Sequence, residues 1–598
     1  MNIIITHTSR FNDYNLPWIY FGNSYLKMKD WENKLSGNRI NLQFEIHEQA
    51  RKQKIPFLKW IEEQRVANKD SIYWWMSQIA GRNNAYSNFY PYLCQLFAIK
   101  DYLQKNNQQK SVLIVCENTF LIKLLAKNFS SNFKFKFPTF LQVYWLSDLA
   151  SLFMKGMLTQ TKLIYFLIIN FIYARLTKPK KITTPAGDAV LFHHLLDNVN
   201  CIKNSHMTCI YFTILPNWIK KKGKKVFGLP WLFKNQPTLD YYKDLRRTDY
   251  LIPEDWLNIK DYFNILKNSF KSLRNLKYEI SYPDANLHYL IFYERIVQLN
   301  EQSVIFWRYA PAIQKWSKEL KSLTVYDQYY NFIFEHMIRY LTKKLPIKTK
   351  SIGYYNSLTS KEFMPHQHLE SEWLSQVKPD HVVCVGKVGE NVLLEQGVPA
   401  KRLSSAAALR QLYLLNESGV KKNSKQILIL LSLVPEICVE ILSKMYSVNS
   451  IIVDELKLKV KVKIHPMMET DFILKKINWK KLPQGWEWTK KSLNSELDDS
   501  YCCVGMDTAS VFDAVFNKNI VISIMSDLRI MDNYLDIFSH KYPLTSSVVE
   551  KELVDKLRDI FVSKKKLYID EFLKLRNELI AGTNPAIPKN LDLFIKKL

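Results

Sequence analysis

The stretch KVKVKIHPMMET, residues 459–470, decides how the second half of the chain folds. Lysines alternate with branched apolar residues from 459 to 464, and this period of two predicts a strand with one buried face. Pro466 ends the strand, because proline has no backbone N–H to donate and restricts the residue before it. His465 is therefore predicted at the carboxyl end of a strand. In open α/β sheets that end faces bound ligands, so His465 is a first candidate site residue.

The composition is that of a folded protein with more than one domain. The chain has 598 residues, of which 47% are hydrophobic and 14% aromatic, and a chain of this length divides into two or more cores. Its eight cysteines form no C-x-x-C pair, and the adjacent Cys502 and Cys503 lie in an apolar run, so we expect packed, reduced thiols. The amino terminus MNIIITHTSR lacks the basic region of a secretory signal, and we expect a cytoplasmic protein.

The charge balance is strongly basic, with 84 Lys and Arg against 56 Asp and Glu, a formal net charge of +28. Nucleic acid and an anionic membrane surface both fit such a charge, but no nucleic-acid-binding module is recognisable. TKLIYFLIINFIYARLTKPKK at 161–181 carries a basic-flanked apolar run too short to span a bilayer, and KKKGKK follows at 220–225. The first segment is either a buried helix or a helix in the membrane interface. We expect a peripheral location at the inner face of the cytoplasmic membrane, and no nucleic acid partner.

The order of apolar segments predicts an α/β fold. SVLIVCENTF at 111–120 is a strand candidate, and the region 235–345 has a helical pattern. Further along, strands and helices alternate regularly, as expected of parallel sheets. We therefore expect residues 1–345 to form an amino-terminal Rossmann-like acceptor domain with helical insertions. Residues 346–548 are predicted to form a carboxyl-terminal Rossmann-like nucleotide-sugar-binding domain, and 549–598 a helical segment.

A second strand-to-helix junction, YCCVGMDTASVFDAVFNKNIVISIM at 501–525, supports a ligand site at this sheet. Gly505 ends the predicted strand, and Asp507, Thr508 and Ser510 fall in the polar turn before the next helix. Hydroxyls and unpaired backbone N–H groups at a helix N-terminus bind anions, although the same residues also serve as simple helix caps. The turn therefore predicts either a phosphate site or a cap.

These motifs in combination resemble the cytidine-nucleotide half of bacterial GT-B glycosyltransferases that transfer sialic-acid-like and Kdo-like sugars from CMP. The strand ending in His465 and Pro466 precedes the GMDTAS turn, and the segment 351–410, with PDHVVCVG and GVPAKRL, is similar to surface-carbohydrate members of this group. The resemblance implies two Rossmann-like domains facing a central cleft. A further strand-to-turn junction, ILILLSLVPEIC at 427–438, places Ser432 at another carboxyl end. We expect Ser432 to bind the nucleotide together with His465, Pro466 and the turn. The turn also resembles the CDP-dependent polyol-phosphate polymerases of teichoic-acid synthesis.

The implied reaction expels a phosphate, whose charge His465 and helix N-terminal amides are expected to stabilise without a metal. No D-x-D-like pair is evident in a loop, so we expect no metal and no cofactor besides the CMP-sugar donor. The acceptor hydroxyl needs a base, for which Glu117 in LIVCENTF is the first candidate and Glu335 in FIFEHMIRYL the second. Further candidates are His193, His194 and Asp197.

The segment WWMSQIAGRNNAYSNFY at 74–90 mixes polar residues with aromatic rings, a composition of sugar-binding walls and also of ordinary helix–loop–helix units. Its predicted acceptor-binding residues are Arg82, Asn83, Asn84 and Ser87. The sequence thus predicts a glycosyltransferase that moves a nonulosonic sugar from CMP onto a surface polysaccharide or lipid-linked glycan. The alternatives are a CDP-polyol phosphotransferase and a basic scaffold without catalytic activity.

Overall fold

The fold, a computed structural model, contains three parallel β-sheets with helices packed between and around them. Residues 2–596 are described except 8–14, 109–110, 131–132, 181, 183, 197–201, 204–205, 208, 210, 233–237, 275, 301–302, 416–423, 532 and 539–540. The predicted α/β class with Rossmann-like parallel sheets is confirmed.

The strands are short and are named here in chain order. They are β1 (Asn2–Thr6), β2 (Trp18–Phe21), β3 (Ser111–Cys116), β4 (Lys134–Lys136), β5 (Ala186–Leu196), β6 (Ile202–Lys203), β7 (His206–Met207), β8 (Lys225–Leu232), β9 (Ser281–Tyr282), β10 (Ala285–Asn286), β11 (Glu319–Gln328), β12 (Lys348–Tyr355), β13 (His381–Cys384), β14 (Leu403–Ser405), β15 (Gln426–Leu430), β16 (Lys459–Lys463), β17 (Trp486–Trp488), β18 (Cys502–Gly505) and β19 (Ile520–Ser523).

The α-helices connect these strands and are named in the same way. They are α1 (Tyr25–Glu32), α2 (Gln43–Ala67), α3 (Ile72–Trp75), α4 (Gln78–Gly81), α5 (Phe89–Lys105), α6 (Thr119–Phe129), α7 (Leu141–Leu176), α8 (Leu215–Lys221), α9 (Leu239–Leu245), α10 (Ile259–Arg274), α11 (His288–Val297), α12 (Ser303–Trp307), α13 (Tyr309–Trp316), α14 (Ile333–Lys343), α15 (Lys387–Glu395), α16 (Pro435–Ser447), α17 (Thr470–Lys476), α18 (Leu493–Asp499), α19 (Ser510–Phe516), α20 (Leu553–Arg558), α21 (Lys565–Ala581) and α22 (Pro588–Ile595).

The amino-terminal sheet consists of β1 to β4 in the order β2-β3-β1-β4, with every neighbouring pair parallel. Its inner strands are almost continuous apolar runs. Ile3, Ile5 and residues 112–116 are buried, as expected for a parallel sheet that is covered on both faces. The sequence predicts β3 but not that this region has a sheet of its own.

The central sheet contains β5, β8 and β11 to β14 in the order β14-β13-β12-β11-β5-β8. Residues 322–328 of β11 pair with residues 348–354 of β12, so the sheet continues across the predicted domain boundary between 345 and 346 and contradicts it. β11 also corrects the prediction of a purely helical 235–345 region. Its alternating sequence ELKSLTVYDQ buries Leu320, Leu323 and Val325, which makes it an inner strand of the sheet.

The carboxyl-terminal sheet consists of β15 to β19 in the order β17-β16-β15-β18-β19, again with all neighbours parallel. Four of its strands lie where the sequence predicts them. β16 ends at Lys463, so His465 follows the carboxyl end of a strand as expected. The last three helices, α20 to α22, confirm the predicted helical end of the chain.

The central and carboxyl-terminal sheets contact each other near their carboxyl ends. The guanidinium of Arg410, between β14 and β15, lies 3.4 Å from the carboxylate of Asp513 on α19. The N–H of Asn584, in the loop after α21, donates to the carbonyl of Val385 at 2.9 Å. The last helix packs back on the central sheet, where the hydroxyl of Tyr326 donates to the carbonyl of Phe594 at 2.9 Å. The amino-terminal sheet is a third parallel sheet. That the central and carboxyl-terminal sheets face each other across a central cleft, as in GT-B proteins, stays a prediction. The contact between them is tight, enclosing a cavity of only about 10 Å³ beside Arg410 and Asp513.

The segment 161–181 is the second half of a much longer helix, and residue 181 lies outside the described residues. α7 runs for 36 residues and is long and apolar enough to cross a membrane by length and composition alone. It buries only Gly156, Leu167, Asn170 and Ala174. The predicted interpretation of this segment as a buried helix is therefore wrong.

Candidate functional site

A polar cavity of about 370 Å³ lies between the amino-terminal and carboxyl-terminal sheets. On one side it is lined by Asn23 and Ser24, which follow β2, and by Glu117, which follows β3. On the other side it is lined by the start of α16 and by Arg529, which follows β19. Carboxyl ends of strands from two parallel sheets therefore face one cavity, which is the position where ligands bind in open α/β folds.

Glu117, the first predicted catalytic base, is held at the cavity wall by the neighbouring strand. Its backbone N–H donates to the carbonyl of Phe21 at 2.9 Å, and its Oε2 accepts from the N–H of Asn23 at 2.5 Å. A Cβ on Gly22 would lie 2.5 Å from the Cβ of Glu117, so this close approach requires glycine. The half-buried carboxylate is thereby positioned at the cavity without an ion-pair partner that would neutralise it among the described residues.

The start of α16 forms part of the opposite wall. Pro435 opens the helix, since the N–H that proline lacks has no intrahelical partner at this position. The Oγ of Ser432 accepts from the N–H of Val434 at 3.3 Å, which stabilises the turn from β15 into the helix. The N–H groups of Ile437 and Cys438 both donate to the carbonyl of Val434 at 3.1 Å, so the helix presents the positive end of its dipole to the cavity rather than a set of free N–H groups. Ser432 thus shapes the turn, while its predicted contact with a nucleotide stays a prediction.

Arg529 brings a positive charge to the same cavity. Its Nε is buried and has no hydrogen-bond partner within the described ranges. Lys476 also lines the cavity but lies 2.7 Å from the carboxylate of Glu436, so its charge already has a counter-ion. The guanidinium of Arg529 is therefore suited to bind an anionic group such as a phosphate.

A buried ion-pair network joins the two sheets beside this cavity. Asp527, in the same loop as Arg529, accepts from Arg39 at 2.6 Å and from Lys444 at 2.7 Å. Lys444 also pairs with Glu440 at 2.8 Å, and both residues belong to α16. Arg39 belongs to the amino-terminal part of the chain. The network therefore fixes α16 and the loop of Arg529 relative to the amino-terminal sheet.

The predicted phosphate turn follows Gly505, the last residue of β18. Asp507 adopts a left-handed φ of 50°, and burial raises its pKa to about 7 against the opposing charge of Arg529. The Oγ1 of Thr508 accepts from the N–H of Ser510 at 3.5 Å, a contact within the turn before the N-cap residue Ala509 of α19. The charge of Arg529 thus acts on Asp507 in this turn. The role of the turn in phosphate binding stays a prediction.

His465 and Pro466 occupy the turn after β16. The Nδ1 of half-buried His465 accepts from the N–H of Met467 at 3.2 Å, and Pro466 is exposed. Neither residue lines the 370 Å³ cavity. The structure confirms their position after a strand, and their contact with a nucleotide stays a prediction.

Glu335, the second candidate base, is fully buried near the start of α14. Its Oε2 accepts from the N–H of Asn331 at 2.9 Å and from Arg339 at 3.2 Å. Burial raises the pKa of Glu335, and the charge of Arg339 opposes this effect. The carboxylate holds the turn before the helix, is fully buried and does not line the 370 Å³ cavity. The prediction of a catalytic base here is therefore wrong.

The remaining candidate bases lie in or after β5. His193 and His194 are buried in the central sheet, and the hydroxyl of Tyr250 contacts the Nε2 of His194 at 3.1 Å. Burial lowers the pKa of His193 to about 3. Asp197 lies outside the described residues. Neither histidine is accessible to an acceptor.

The predicted acceptor loop reaches the cavity, but through other residues than those predicted. Arg82, Asn83, Asn84 and Ser87 do not line it; the lining residues of this loop are Ala85, Tyr86 and Asn88. Arg82 is buried and binds the carboxylate of Glu372 through both terminal nitrogens, at 2.8 and 2.9 Å. The guanidinium is therefore used to hold two parts of the chain together, and its predicted role in acceptor binding is wrong.

The other two polar contacts in this loop are also internal. The Oδ1 of Asn83 accepts from the N–H of Ala85 at 2.9 Å, and the Oγ of Ser87 accepts from the N–H of Phe89 at 3.2 Å. Both side chains are buried. They order the loop so that its aromatic and amide neighbours face the cavity.

Two kinds of residue at this site escaped the sequence analysis. Asn23 and Arg529 follow strands, and the rule that singled out His465 would have found them. Glu294 on α11 has no such signal. It is 3% exposed, and burial raises its pKa to about 7 against the effect of the Ser87 hydroxyl. Its neighbour Tyr293 lines the cavity, so Glu294 is a buried acid close to the site.

No group of three or more His, Cys, Asp or Glu side chains in the described part of the chain is arranged to hold a metal ion. The described cysteines are buried thiols. Neither finding tests the predicted metal independence, which stays a prediction.

Comparison with known proteins gives only remote structural relatives. No family model and no curated protein matches the chain. The glycotransferase of kitacinnamycin is similar at 10% sequence identity and a TM-score of 0.39, over 70% of this chain and 100% of that one. TarM of S. aureus, in complex with fondaparinux, α-GlcNAc-glycerol and UDP, is similar at 10% sequence identity and a TM-score of 0.39, over 69% of this chain and 99% of that one. MurG of Acinetobacter baumannii is similar at 9% identity and 0.35, over 69% and 100%.

Likeness at these levels carries no conclusion about what the chain binds or does, because one fold supports many activities. The chain's own residues define an α/β protein whose cavity combines a carboxylate, a guanidinium and a helix N-terminus. Its function has to be inferred from that chemistry.

Proposed function

We propose that the chain is a glycosyltransferase whose reaction takes place in the 370 Å³ cavity. The observation that carries this proposal is that Glu117 and Arg529 line the same cavity, each at the carboxyl end of a different parallel sheet. Group transfer from a nucleotide-linked donor needs a base for the acceptor and a cation for the departing phosphate. The cavity supplies one of each.

In the proposed reaction Glu117 takes the proton of the acceptor hydroxyl as the acceptor oxygen forms its bond to the anomeric carbon. The bond from that carbon to the phosphate oxygen breaks at the same time, and the nucleotide leaves with the electron pair. Arg529 and the positive dipole end of α16 stabilise the negative charge that develops on the phosphate. Asp507, Thr508, Ser510 and His465 are proposed to contact the nucleotide.

The nature of the donor rests on the resemblance of the His-Pro strand end, the GMDTAS turn and the segment 351–410 to CMP-dependent enzymes. We propose a nonulosonic sugar carried by CMP as the donor and a surface polysaccharide or lipid-linked glycan as the acceptor. Tyr86 and Asn88, which line the cavity beside Glu117, are the side chains proposed to contact the acceptor. No metal is required by this scheme.

A thermal-shift panel of CMP, CDP, UMP and GDP tests the nucleotide class, since a ligand that binds only the folded state stabilises it by mass action. CMP is expected to give the largest stabilisation. Arg529→Gln is expected to weaken CMP binding by ~10- to 150-fold, the equivalent of losing a charged hydrogen bond of ~1.5–3 kcal/mol. Arg247→Gln, at an exposed arginine paired with Asp244, is the matched control and is expected to bind as wild type does.

The panel also separates the alternatives. A larger stabilisation by UMP or GDP than by CMP would refute the cytidine donor. An equal loss of CMP affinity in Arg529→Gln and Arg247→Gln would show that Arg529 does not bind the nucleotide. If CDP stabilises the protein more than CMP does, turnover of CDP-polyols in a product analysis would establish the phosphotransferase. Product analysis with a panel of CMP-sugars then identifies the transferred group. No turnover and no nucleotide binding would favour a scaffold.

A further inference from the structure

α7 presents a continuous apolar surface to the outside of the molecule. Met154, Met157, Leu158, Tyr165, Ile168 and Ile172, here called the α7 face, have exposed fractions between 42% and 59%. Positions 154, 158, 165, 168 and 172 follow one another at intervals of three, four or seven residues, and 157 lies three residues after 154, so all six lie along one side of the helix. The buried residues Gly156, Leu167, Asn170 and Ala174 lie along the other side. A soluble protein rarely exposes an apolar stripe of this size unless the stripe has a partner.

The packing of α7 shows how this helix is oriented. It contacts α6, α9, α11 and α12, and near its start the ring of Trp145 packs on Phe292 of α11 with centroids 6.3 Å apart. In the middle the amide of Gln160 donates to the carbonyl of Leu299 at 2.6 Å, and a Cβ on Gly156 would lie 2.6 Å from Leu299. One side of this ~54 Å helix packs against four other helices, with its buried residues between Gly156 and Ala174. It therefore cannot cross a bilayer unless it detaches from the domain. Its apolar face is instead available to lie in the plane of a membrane surface.

The charges around the α7 face fit an anionic surface. The one carboxylate within α7, Asp148, accepts from the N–H and the hydroxyl of Thr119 at 2.9 and 2.7 Å and is therefore occupied internally. The cations of the helix are Lys155, Lys162 and Arg175, and Lys155 and Lys162 are exposed. A helix with an apolar face and basic but no free acidic side chains is typical of proteins that bind the interface of anionic membranes.

The neighbouring helix extends this surface. The ring of Tyr262 on α10 packs edge-on against Phe171 of α7, with centroids 5.4 Å apart. Next to it, Ile259 and Phe263 are 68% and 69% exposed, and α10 also carries Lys260. By contrast, Lys220 and Lys222 of the KKKGKK cluster pair with Asp249 and Asp592. The apolar and basic surface therefore lies on α7 and α10 rather than at 220–225.

We propose that the α7 face and the exposed side chains at the start of α10 form a monotopic binding surface for anionic lipid, with the bilayer as its occupant. The surface is connected to the cavity, since Asp148 binds Thr119, which closely follows Glu117 in sequence. A lipid-anchored acceptor would thus arrive beside the proposed base. This last consequence rests on the proposed function, whereas lipid binding itself does not.

Vesicle co-sedimentation of the full chain, with phosphatidylcholine vesicles that contain or lack phosphatidylglycerol, tests the surface without donor or acceptor. The wild type is expected to bind the anionic vesicles at least ~10-fold more tightly than the neutral ones. Leu158→Asp with Ile168→Asp is expected to lower that binding at least ~10-fold, because two charges would enter the apolar layer. Leu374→Asp with Val562→Asp, at sites 84% and 68% exposed elsewhere on the chain, is the matched control and is expected to bind as wild type does.

Each contrary outcome overturns the proposal in a different way. Unchanged binding in the α7 variant would show that the helix does not contact lipid. Resistance of the bound protein to alkaline carbonate extraction would indicate a spanning segment. A wild-type dimer in sedimentation velocity that becomes monomeric in the α7 variant would show that a second copy covers the face. Because no turnover is measured, these results are independent of whether the cavity transfers a sugar.

Discussion

Glu117→Gln is the substitution that tests the proposed base most directly. Oε2 of Glu117 accepts a short hydrogen bond from the N–H of Asn23, and glutamine keeps an acceptor oxygen of the same reach and nearly the same volume. The hydrogen bond loses its charge but is not lost, so we expect the free energy of unfolding to fall by only ~1 kcal/mol. The cavity and the nucleotide site on the opposite sheet are expected to remain intact.

The effect on turnover should be far larger than the effect on stability. A positioned general base contributes ~10²- to 10⁴-fold, which corresponds to ~2.7–5.4 kcal/mol of the activation barrier at about 1.36 kcal/mol for each factor of ten. The amide of glutamine cannot take the proton of the acceptor hydroxyl. Turnover should therefore fall by ~10² or more, while CMP affinity stays within a few-fold of wild type.

The assay is release of CMP from the donor that the wild type uses, at saturating acceptor, with CMP binding measured in parallel by thermal shift. Glu48→Gln is the matched control, because Glu48 lies on the surface of α2 and pairs only across one turn with Lys52 at 2.7 Å. Turnover of Glu117→Gln within three-fold of this control would refute the assignment. Parallel loss of CMP binding and turnover would mean that Glu117 has a structural role instead.

Three further outcomes follow from the geometry. Gly22→Ala should displace Glu117, whose Cβ lies 2.5 Å from the added methyl group. We expect the free energy of unfolding in urea to fall by ~1–3 kcal/mol and turnover to fall as well. Unchanged turnover would contradict the close approach. Arg82→Met should destabilise the fold by ~3–5 kcal/mol, because Glu372 is left buried without its main partner; a loss below ~1 kcal/mol in the same assay would show that other groups suffice. Asp507, with a pKa raised by burial to about 7, is neutral below that pH and charged above it. CMP affinity should therefore fall roughly 10-fold as pH rises through 7, because the charged carboxylate repels the phosphate. Calorimetry at several pH values measures this change. In Asp507→Asn, only the change caused by the titration of CMP itself should remain.

Much of the local structure follows from patterns within the sequence. The alternation at 459–464 predicts β16, and proline correctly marks its end. The placement of Glu117 at a strand end and at a cavity also follows from its sequence position, since a buried apolar run ends directly before it. These features depend on residues a few positions apart, for which the periodicity of side chains is sufficient information.

The partners of polar side chains were not predictable in this way. Arg82 and Glu335 have the composition of site residues, but the first is paired with Glu372 and the second with Arg339 in the interior. β11 was missed because its alternation is embedded in a helical region. Its burial depends on the strands on either side of it, β12 and β5, and β5 lies more than a hundred residues earlier in the chain.

The sequence by itself determined the α/β class, most strands of the last sheet and the residues that follow them. Only the tertiary structure decided that β11 and β12 share one sheet across the predicted boundary, and that the open cavity lies between the first and third sheets. The ion pair between Arg39 and Asp527 joins positions 488 residues apart. Local periodicity determines which residues form a strand or a helix. Which elements lie side by side depends on the burial and pairing of surfaces across such separations, and no local pattern encodes that choice.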